Sequence, residues 1–354
     1  MSEWTPTTTA EEVAARLRDA GRVAVLTHAK PDGDALGSTG ALVRSLNVDG
    51  ARATAFYVGA MPLFSDALLG DTSHQHLTGG AVPEGEFDAV VVCDTGSWGQ
   101  LDALGDWVRG RADRTVVIDH HLQGDGEMSG SRLLETHAAA VCEPVADVCA
   151  AVLSRSMNGL PKEIATLLYL GIATDTGWFR FSSVTPRTLR TVADLVEAGA
   201  DTVSVLSAVT QRDRPARLRA MARALASATF ECGGELVVMR LTVEDIRAAK
   251  AGPEDLGGMQ DAAMSIGSVR AVAIFVEVES PAGEGPLVKA SLRSKPGEGM
   301  VDVSRVAGSL GGGGHANAAG VKQRVGMDEA VGNVLVAFER ERAGASGSGL
   351  GAGS

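Results

Sequence analysis

Apolar residues in the N-terminal half of the chain come in short β-branched runs separated by helical patterns. RVAVLTH, ARATAFYV, FDAVVVCD and RTVVIDHH are such runs, each ending in polar or glycine-containing sequence. Continuous apolar runs of this length predict strands buried on both faces. The stretches near ALGSTGALVRSL and WGQLDALGDWV repeat apolar positions at helical spacing and predict crossover helices. Thr9 followed by Glu12 is a capping-box signature, so an amphipathic helix is expected to open the fold. Residues 140–200 read as mostly helical, including the buried-looking EIATLLYLGIATD and a helix after Pro186. Strand and helix alternating in this way predict an α/β, doubly wound, mainly parallel sheet.

The pattern changes from Glu235. ELVVMRL, VRAVAIFVEVE and PLVKASLRS read as strands with helices between them, and DEAVGNVLVAFERER as a closing helix. This predicts a second, smaller α/β domain with a mixed sheet. The expected organisation is a catalytic domain over 1–205, a charged helical linker over 206–228, a substrate-binding domain over 229–342 and a disordered Gly/Ser-rich tail over 343–354.

A length of 354 residues suits two domains. Hydrophobic residues make up 45% of the chain, yet no run is long enough to span a bilayer and the N-terminus lacks a signal-peptide pattern. Cys93, Cys142, Cys149 and Cys232 form no C-x-x-C pair. A cytoplasmic protein with reduced thiols and no membrane partner is therefore expected. The formal charge of −12 excludes an extended grip on long nucleic acid, whose affinity comes from neutralising phosphates. Basic groups would have to be concentrated in a small pocket.

Three of the runs end in the same chemistry: His28 with Asp32 and Asp34, Asp94, and Asp119 with His120 and His121. A fourth acid, Asp175, ends the buried-looking helix. Ligands of open parallel sheets bind outside the carboxyl ends of the strands, so these tips should converge. Singly, each has a plain structural account: a Pro-Asp-Gly turn for HAKPDGD, a helix cap for Asp94. Together they would repel by about 4 kcal/mol per close pair at an effective dielectric near 20, unless cations sit among them. Mixed imidazole and carboxylate donors suit Mn²⁺ or a similar transition ion better than Mg²⁺ or Ca²⁺.

HAKPDGDALGS, VVVCDTG, VVIDHH and GIATDTGWFRF together resemble the ordered motifs of the DHH phosphoesterase superfamily. SLRS and GGGGHANAAG resemble its associated nucleotide-binding domain. The resemblance is nearest to the stand-alone oligoribonuclease (nanoRNase)/3′-phosphoadenosine-5′-phosphate phosphatases, and it implies two divalent cations, Mn²⁺ before Mg²⁺ or Co²⁺. One would be held by His28, Asp32 and Asp94, the other by Asp34, Asp94, His120 and Asp175. Asp119 would orient the histidines. His121 would face the substrate phosphate, and Arg180 would reach one of its oxygens. The implied activity is hydrolysis of nanoRNA, linear diadenylate and 3′-phosphoadenosine-5′-phosphate, with cyclic di-AMP as a further candidate. A homodimer is also implied.

Arg293 offers a planar guanidinium for phosphate, and the glycine run around Gly313, Gly314 and His315 reads as a loop that lets a ligand approach the backbone. With Ser291, these residues are expected to hold the far end of a short nucleotide. His74 and His76 are read as loop residues without matching acids, and Cys93 as a small buried hydrophobe. The rival readings are a manganese-dependent inorganic pyrophosphatase, disfavoured by GGGGHANAAG, and a nucleotide sensor without turnover, disfavoured by the complete ligand set.

Overall fold

The structure is a computed structural model describing residues 3–280, 285–297 and 299–347. It divides into two compact units, Met1–Arg212 and Asp213–Ser354.

The first unit carries α1 (Ala10–Arg18), β1 (Arg22–Leu26), α2 (Gly33–Asp49), β2 (Arg52–Val58), α3 (Ser65–Leu69), β3 (His74–Leu77), β4 (Ala89–Cys93), α4 (Leu104–Arg109), β5 (Thr115–Asp119), β6 (Ser131–Leu134), α5 (Cys142–Val152), α6 (Lys162–Asp175), α7 (Pro186–Glu197) and α8 (Thr202–Thr210). The strands form one parallel sheet in the order β3-β2-β1-β4-β5-β6. The chain winds outward from β1 to β3, returns to β4 beside β1 and winds the other way, so the topological switch lies between β1 and β4. The central strands β4 and β5 are buried throughout. Val25, Val91 and Ile118 pack on one face of the sheet with residues of α2, α5 and α6, whereas Leu26, Val92 and Val117 pack on the other with Phe87 and Trp107. This two-sided burial is why these strands read as unbroken apolar runs. The capping box of Thr9 and Glu12 opens α1.

Three local expectations are corrected. The segment holding His74 and His76 is not a loop but the edge strand β3, paired with β2 from Ala55↔His74 to Val58↔Leu77. The helix expected near WGQLDALGDWV is broken at Asp102, whose φ of 48° interrupts it before the short α4. Strand β6 was not anticipated.

The second unit carries α9 (Pro215–Ala226), β7 (Thr229–Glu231), β8 (Leu236–Leu241), α10 (Val243–Ala249), α11 (Asp261–Met264), β9 (Ala271–Val278), β10 (Leu287–Ser294), α12 (Val303–Gly308), β11 (Gly313–His315), β12 (Ala318–Gln323) and α13 (Met327–Gly347). Its sheet runs β11-β12-β10-β9-β8-β7, with β8 and β9 parallel and the other pairs antiparallel. One face packs on α12 and α13 through Val288, Ala290 and Phe338. The other packs on α9 through Val237, Met239, Ala220 and Ala224. Helix α9, in the stretch expected to link the domains, thus contributes to the second unit's apolar core. The glycine run expected as a loop is instead strand β11 of a hairpin with β12, again a correction, because main-chain pairing needs no side chain. Helix α13 extends to Gly347, and the rest of the expected tail lies outside the described residues.

Candidate active site

The tips of β1, β4 and β5 meet the ends of α2 and α6 at the switch point. His28 follows β1, and its Nδ1 lies 3.1 Å from the Ala29 carbonyl. His120 follows β5, with Nδ1 3.2 Å from the Ala138 carbonyl. A carbonyl only accepts, so both Nδ1 atoms donate, and in the neutral rings the Nε2 lone pairs point elsewhere. They point at Asp94: His28 Nε2 is 3.4 Å from Oδ2, and His120 Nε2 is 3.6 Å from Oδ1. With neutral rings each pair would set acceptor against acceptor, and no hydrogen bond joins either pair among the described residues. Donor atoms held about 2.0–2.2 Å from a common ion lie about 3–3.6 Å from each other, so the spacing fits a shared cation. Asp94 offers one oxygen to each side.

Asp32 caps α2, its Oδ1 accepting from the N–H groups of Asp34 and Ala35, and lies 3.9 Å from His28 Nε2. Asp34 is buried, and its carboxylate accepts from the N–H groups of Val141 (2.6 Å) and Cys142 (3.1 Å) at the start of α5. Asp175 ends α6 with Oδ2 3.7 Å from His120 Nε2. His28, Asp32 and Asp94 form one set of ligand atoms within 4.8 Å of one another, and Asp34, His120 and Asp175 form another. The close approach of α2 and α6 allows this. A Cβ on Gly171 would overlap Asp34 Oδ1 and Cys142 Sγ, and one on Gly37 would overlap the Leu167 carbonyl.

The electrostatics are those of a site built for cations. Burial, then the nearby Asp175 carboxylate, pushes Asp34 up to about 7. Burial, then Asp34, Asp32 and Asp119, pushes Asp94 well above the ordinary carboxylate range. Asp94 also holds its backbone at φ 64°, in the left-handed region that costs a non-glycine residue energy and persists where the surroundings impose it. The donor set and this mutual repulsion both fit divalent ions, with Asp94 shared between two.

Asp119 is fully buried. Its Oδ1 accepts from the backbone N–H groups of His120 (2.7 Å) and His121 (3.2 Å) and from His121 Nδ1 (2.7 Å). Its Oδ2 has no hydrogen-bond partner among the described residues. The hydrogen bond to Asp119 raises His121 to about 9 against the opposing effect of burial, so the half-exposed ring is cationic at neutral pH. His121 also lies within the ligand-atom spacing of Asp94 and His120. Arg180 sits in the turn after α6, where Gly177, Trp178 and Phe179 are all left-handed, and its Nε donates to the Gly177 carbonyl at 2.7 Å.

In the second unit, register decides which substrate candidates stand together. Arg293 pairs with Ala318, which pairs with His315, and Ser291 pairs with Gly320, which pairs with Gly313. Cross-strand partners share a face, so Arg293, Ser291, Gly313 and His315 lie on one side of the sheet. Gly314 pairs with the buried Ala319 in the other phase, and a Cβ there would overlap the Ala318 carbonyl. A Cβ on Gly313 would meet open space.

Two features escaped the sequence reading. Lys289 stands two residues before Ser291 on the same face, and the alternation K-A-S-L-R carried that signal. Trp4 had no signal at all. Its indole donates to the His121 carbonyl at 3.0 Å, and its ring fills the space where a Cβ on Gly96 or Gly124 would stand. It thus wedges the loops that follow β4 and β5.

Residues 22–172 match the model of the DHH family, N-terminal domain. With the ligand sets above, this makes the chain a metal-dependent phosphoesterase. The bifunctional oligoribonuclease and PAP phosphatase NrnA of Thermus thermophilus is 31% identical over 330 residues, 91% of this chain and 90% of the relative. The protein of the same name from Bacillus subtilis is 29% identical over 175 residues, 48% of this chain and 51% of its own. The crystal structure of an exopolyphosphatase-related protein from Bacteroides fragilis superposes with a TM-score of 0.79 at 22% identity, covering 98% of this chain and all of that one. The chain belongs to the DHH family.

Proposed function

We propose that this enzyme hydrolyses short oligoribonucleotides, including linear diadenylate, to mononucleotides and 3′-phosphoadenosine-5′-phosphate to AMP, with cyclic di-AMP as a further substrate. The observation that carries the two-cation part is the Asp94 carboxylate, with one oxygen facing His28 and the other facing His120. The substrate class is supported by the oligoribonuclease and PAP phosphatase activity of the Thermus relative, which matches over nine-tenths of both chains.

Bound at these two sites, divalent cations would acidify water and neutralise phosphate oxygens. Mn²⁺ suits the mixed donors best. His28, Asp32 and Asp94 would hold one, and Asp34, Asp94, His120 and Asp175 the other. Asp119 keeps His121 protonated and aimed, so that ring hydrogen-bonds a phosphate oxygen or gives its proton to the leaving ribose oxygen. Arg180, anchored through Nε, presents its remaining N–H groups to the phosphate. Arg293, Ser291, His315 and the open side of Gly313 receive the rest of the nucleotide. A cytoplasmic homodimer completes the reading.

The test is manganese-dependent release of mononucleotides from a purified two- to five-nucleotide RNA. Tight binding without turnover would establish a sensor instead. Pyrophosphate hydrolysis without RNA cleavage would establish a pyrophosphatase. Arg293→Ala and His315→Ala should raise KM while leaving the bound metal in place.

A further inference from the structure

The stretch from Ala138 to Val141 joins β6 to α5 and belongs to no helix or strand. Two candidate cation ligands are nevertheless aimed from it and from the residue that follows. The Ala138 carbonyl lies 3.2 Å from His120 Nδ1, and the N–H groups of Val141 and Cys142 reach the Asp34 carboxylate at 2.6 and 3.1 Å. Both ligands belong to the set that Asp175 completes. In the other set, His28 turns to the Ala29 carbonyl and Asp32 to the N–H groups of Asp34 and Ala35. Neither of those two draws on this stretch.

Glu143, in the first turn of α5, fixes the middle of the stretch. Its Oε1 accepts from the Ala139 N–H at 2.9 Å and from the Thr188 hydroxyl of α7 at 2.8 Å. The residue is only 1% exposed. Arg187 Nε stands 3.8 Å from Oε2, and that oxygen has no hydrogen-bond partner among the described residues. The same guanidinium also pairs with Glu135 and, at 2.7 Å, with Asp147, so its charge is divided among three acids. An acid in a first helical turn is favourable beside the helix dipole, but an exposed one provides that without losing its water. Burying it against a shared cation is costly. A plain helix start does not call for such a group. A stretch of irregular main chain that must not move does.

We propose that Glu143 is a positioning residue for one of the two cation sites. By clamping the Ala139 N–H between α5 and α7, it holds the Ala138 carbonyl against His120 and the Val141 and Cys142 N–H groups against Asp34. This role rests on the two-cation reading above and adds a residue that touches neither cation nor substrate.

Glu143→Met keeps the side chain's length and removes the acceptor, whereas Glu143→Gln keeps an acceptor for the Ala139 N–H. Calorimetric titration of the full chain with Mn²⁺ should show one site weakened about 10- to 100-fold in Glu143→Met, the range for partners that orient metal ligands, and the other within about threefold of the unaltered chain. Glu143→Gln should recover most of the loss. Backgrounds that disable one site identify the weakened one: Glu143→Met should weaken the ion left in Asp32→Ala and spare the ion left in Asp175→Ala. Equal weakening of both sites, or of neither, overturns the proposal. A chain that binds no Mn²⁺ overturns the two-cation reading, and the metal-free protein then decides. Nitrogen-15 spectra of labelled histidines in EDTA at alkaline pH should show His120, assigned through His120→Gln, as the Nδ1–H tautomer, and a tautomer mixture in Glu143→Met. A His120 signal that Glu143→Met leaves unchanged overturns the positioning role. If Glu143→Met does not fold, Thr188→Val decides by removing one of the two donors to Oε1. A loss confined to the same ion supports the role, and unchanged binding of both ions overturns it.

Discussion

Asp94→Asn should raise the stability of the metal-free protein while destroying its activity. The Asp94 side chain is nearly buried and stands 3.4 and 3.6 Å from the two imidazoles, so the change forfeits no hydrogen bond. Asparagine also tolerates the left-handed backbone at this position. What is removed, at a pH high enough to ionise this raised carboxyl, is charge. Ligand atoms of Asp32 and Asp94 lie within 4.8 Å. Two unit charges at that distance repel by about 3.5 kcal/mol at an effective dielectric near 20. Asp32 is 61% exposed at its side chain, which cuts its share to about 1 kcal/mol. With the contribution of buried Asp34, a gain of about 1–3 kcal/mol is expected. At roughly 2–4 °C per kcal/mol for a unit of this size, the melting temperature in EDTA should rise by about 2–12 °C. Saturating Mn²⁺ should invert the order, because the unaltered protein gains about 2.7 kcal/mol per site at a hundredfold excess over Kd and the variant loses a ligand from both sites. Turnover should fall by at least about 10³-fold, about 4 kcal/mol of barrier. Thermal melts with and without the ion, beside metal analysis, provide the assay. A variant that melts lower in EDTA, or that keeps both ions and near-normal turnover, would refute the shared-ligand scheme.

Three further outcomes are expected. Asp34, raised to about 7 in the metal-free fold, holds its proton more tightly folded than unfolded. Its contribution to stability is complete below about pH 4 and lost as pH rises through about 7. Melting temperature in EDTA should therefore fall from pH 5 to 8, and Mn²⁺ binding at pH 6 should release protons, read by calorimetry in buffers of different ionisation enthalpy; no proton release would contradict the burial argument. Trp4→Ala should lower stability by about 1–2 kcal/mol and kcat about tenfold with metal content intact, and Trp4→Phe should recover the stability first; unchanged kcat would leave the wedge without a role. Gly171→Ala, whose Cβ would overlap Asp34 Oδ1 and Cys142 Sγ, should cost about 1–3 kcal/mol and weaken Mn²⁺ binding; chemical denaturation and metal titration measure both.

What the sequence disclosed follows from how each element is stabilised. β1, β4 and β5 are buried on both faces, so they carry continuous apolar runs, and the acids beyond them were visible as interruptions. β3 and β6 stand at the sheet edges with four residues each, HQHL and SRLL. Their strand conformation comes from pairing with β2 and β5, which no local pattern records. The glycines of β11 were legible as positions for close approach, but their conformation depends on β12. Trp4 was invisible for a related reason. A single indole says nothing until the fold surrounds it.

The candidate ligands also differ in what holds them. Asp32 and Asp34 accept from backbone N–H groups, and His28 and His120 donate to backbone carbonyls. Main-chain partners are fixed by the fold itself, so these four are aimed before any cation arrives. Among the described residues the carboxylates of Asp94 and Asp175 have no such anchor, and they stand 3.4–3.7 Å from imidazoles with other carboxylates close by. Cation binding therefore asks for little rearrangement except at those two side chains. Ordering on binding should concentrate in the one residue both ions share and in the end of α6. A strained backbone at Asp94 serves that arrangement, because it fixes the direction of a carboxylate that no hydrogen bond restrains.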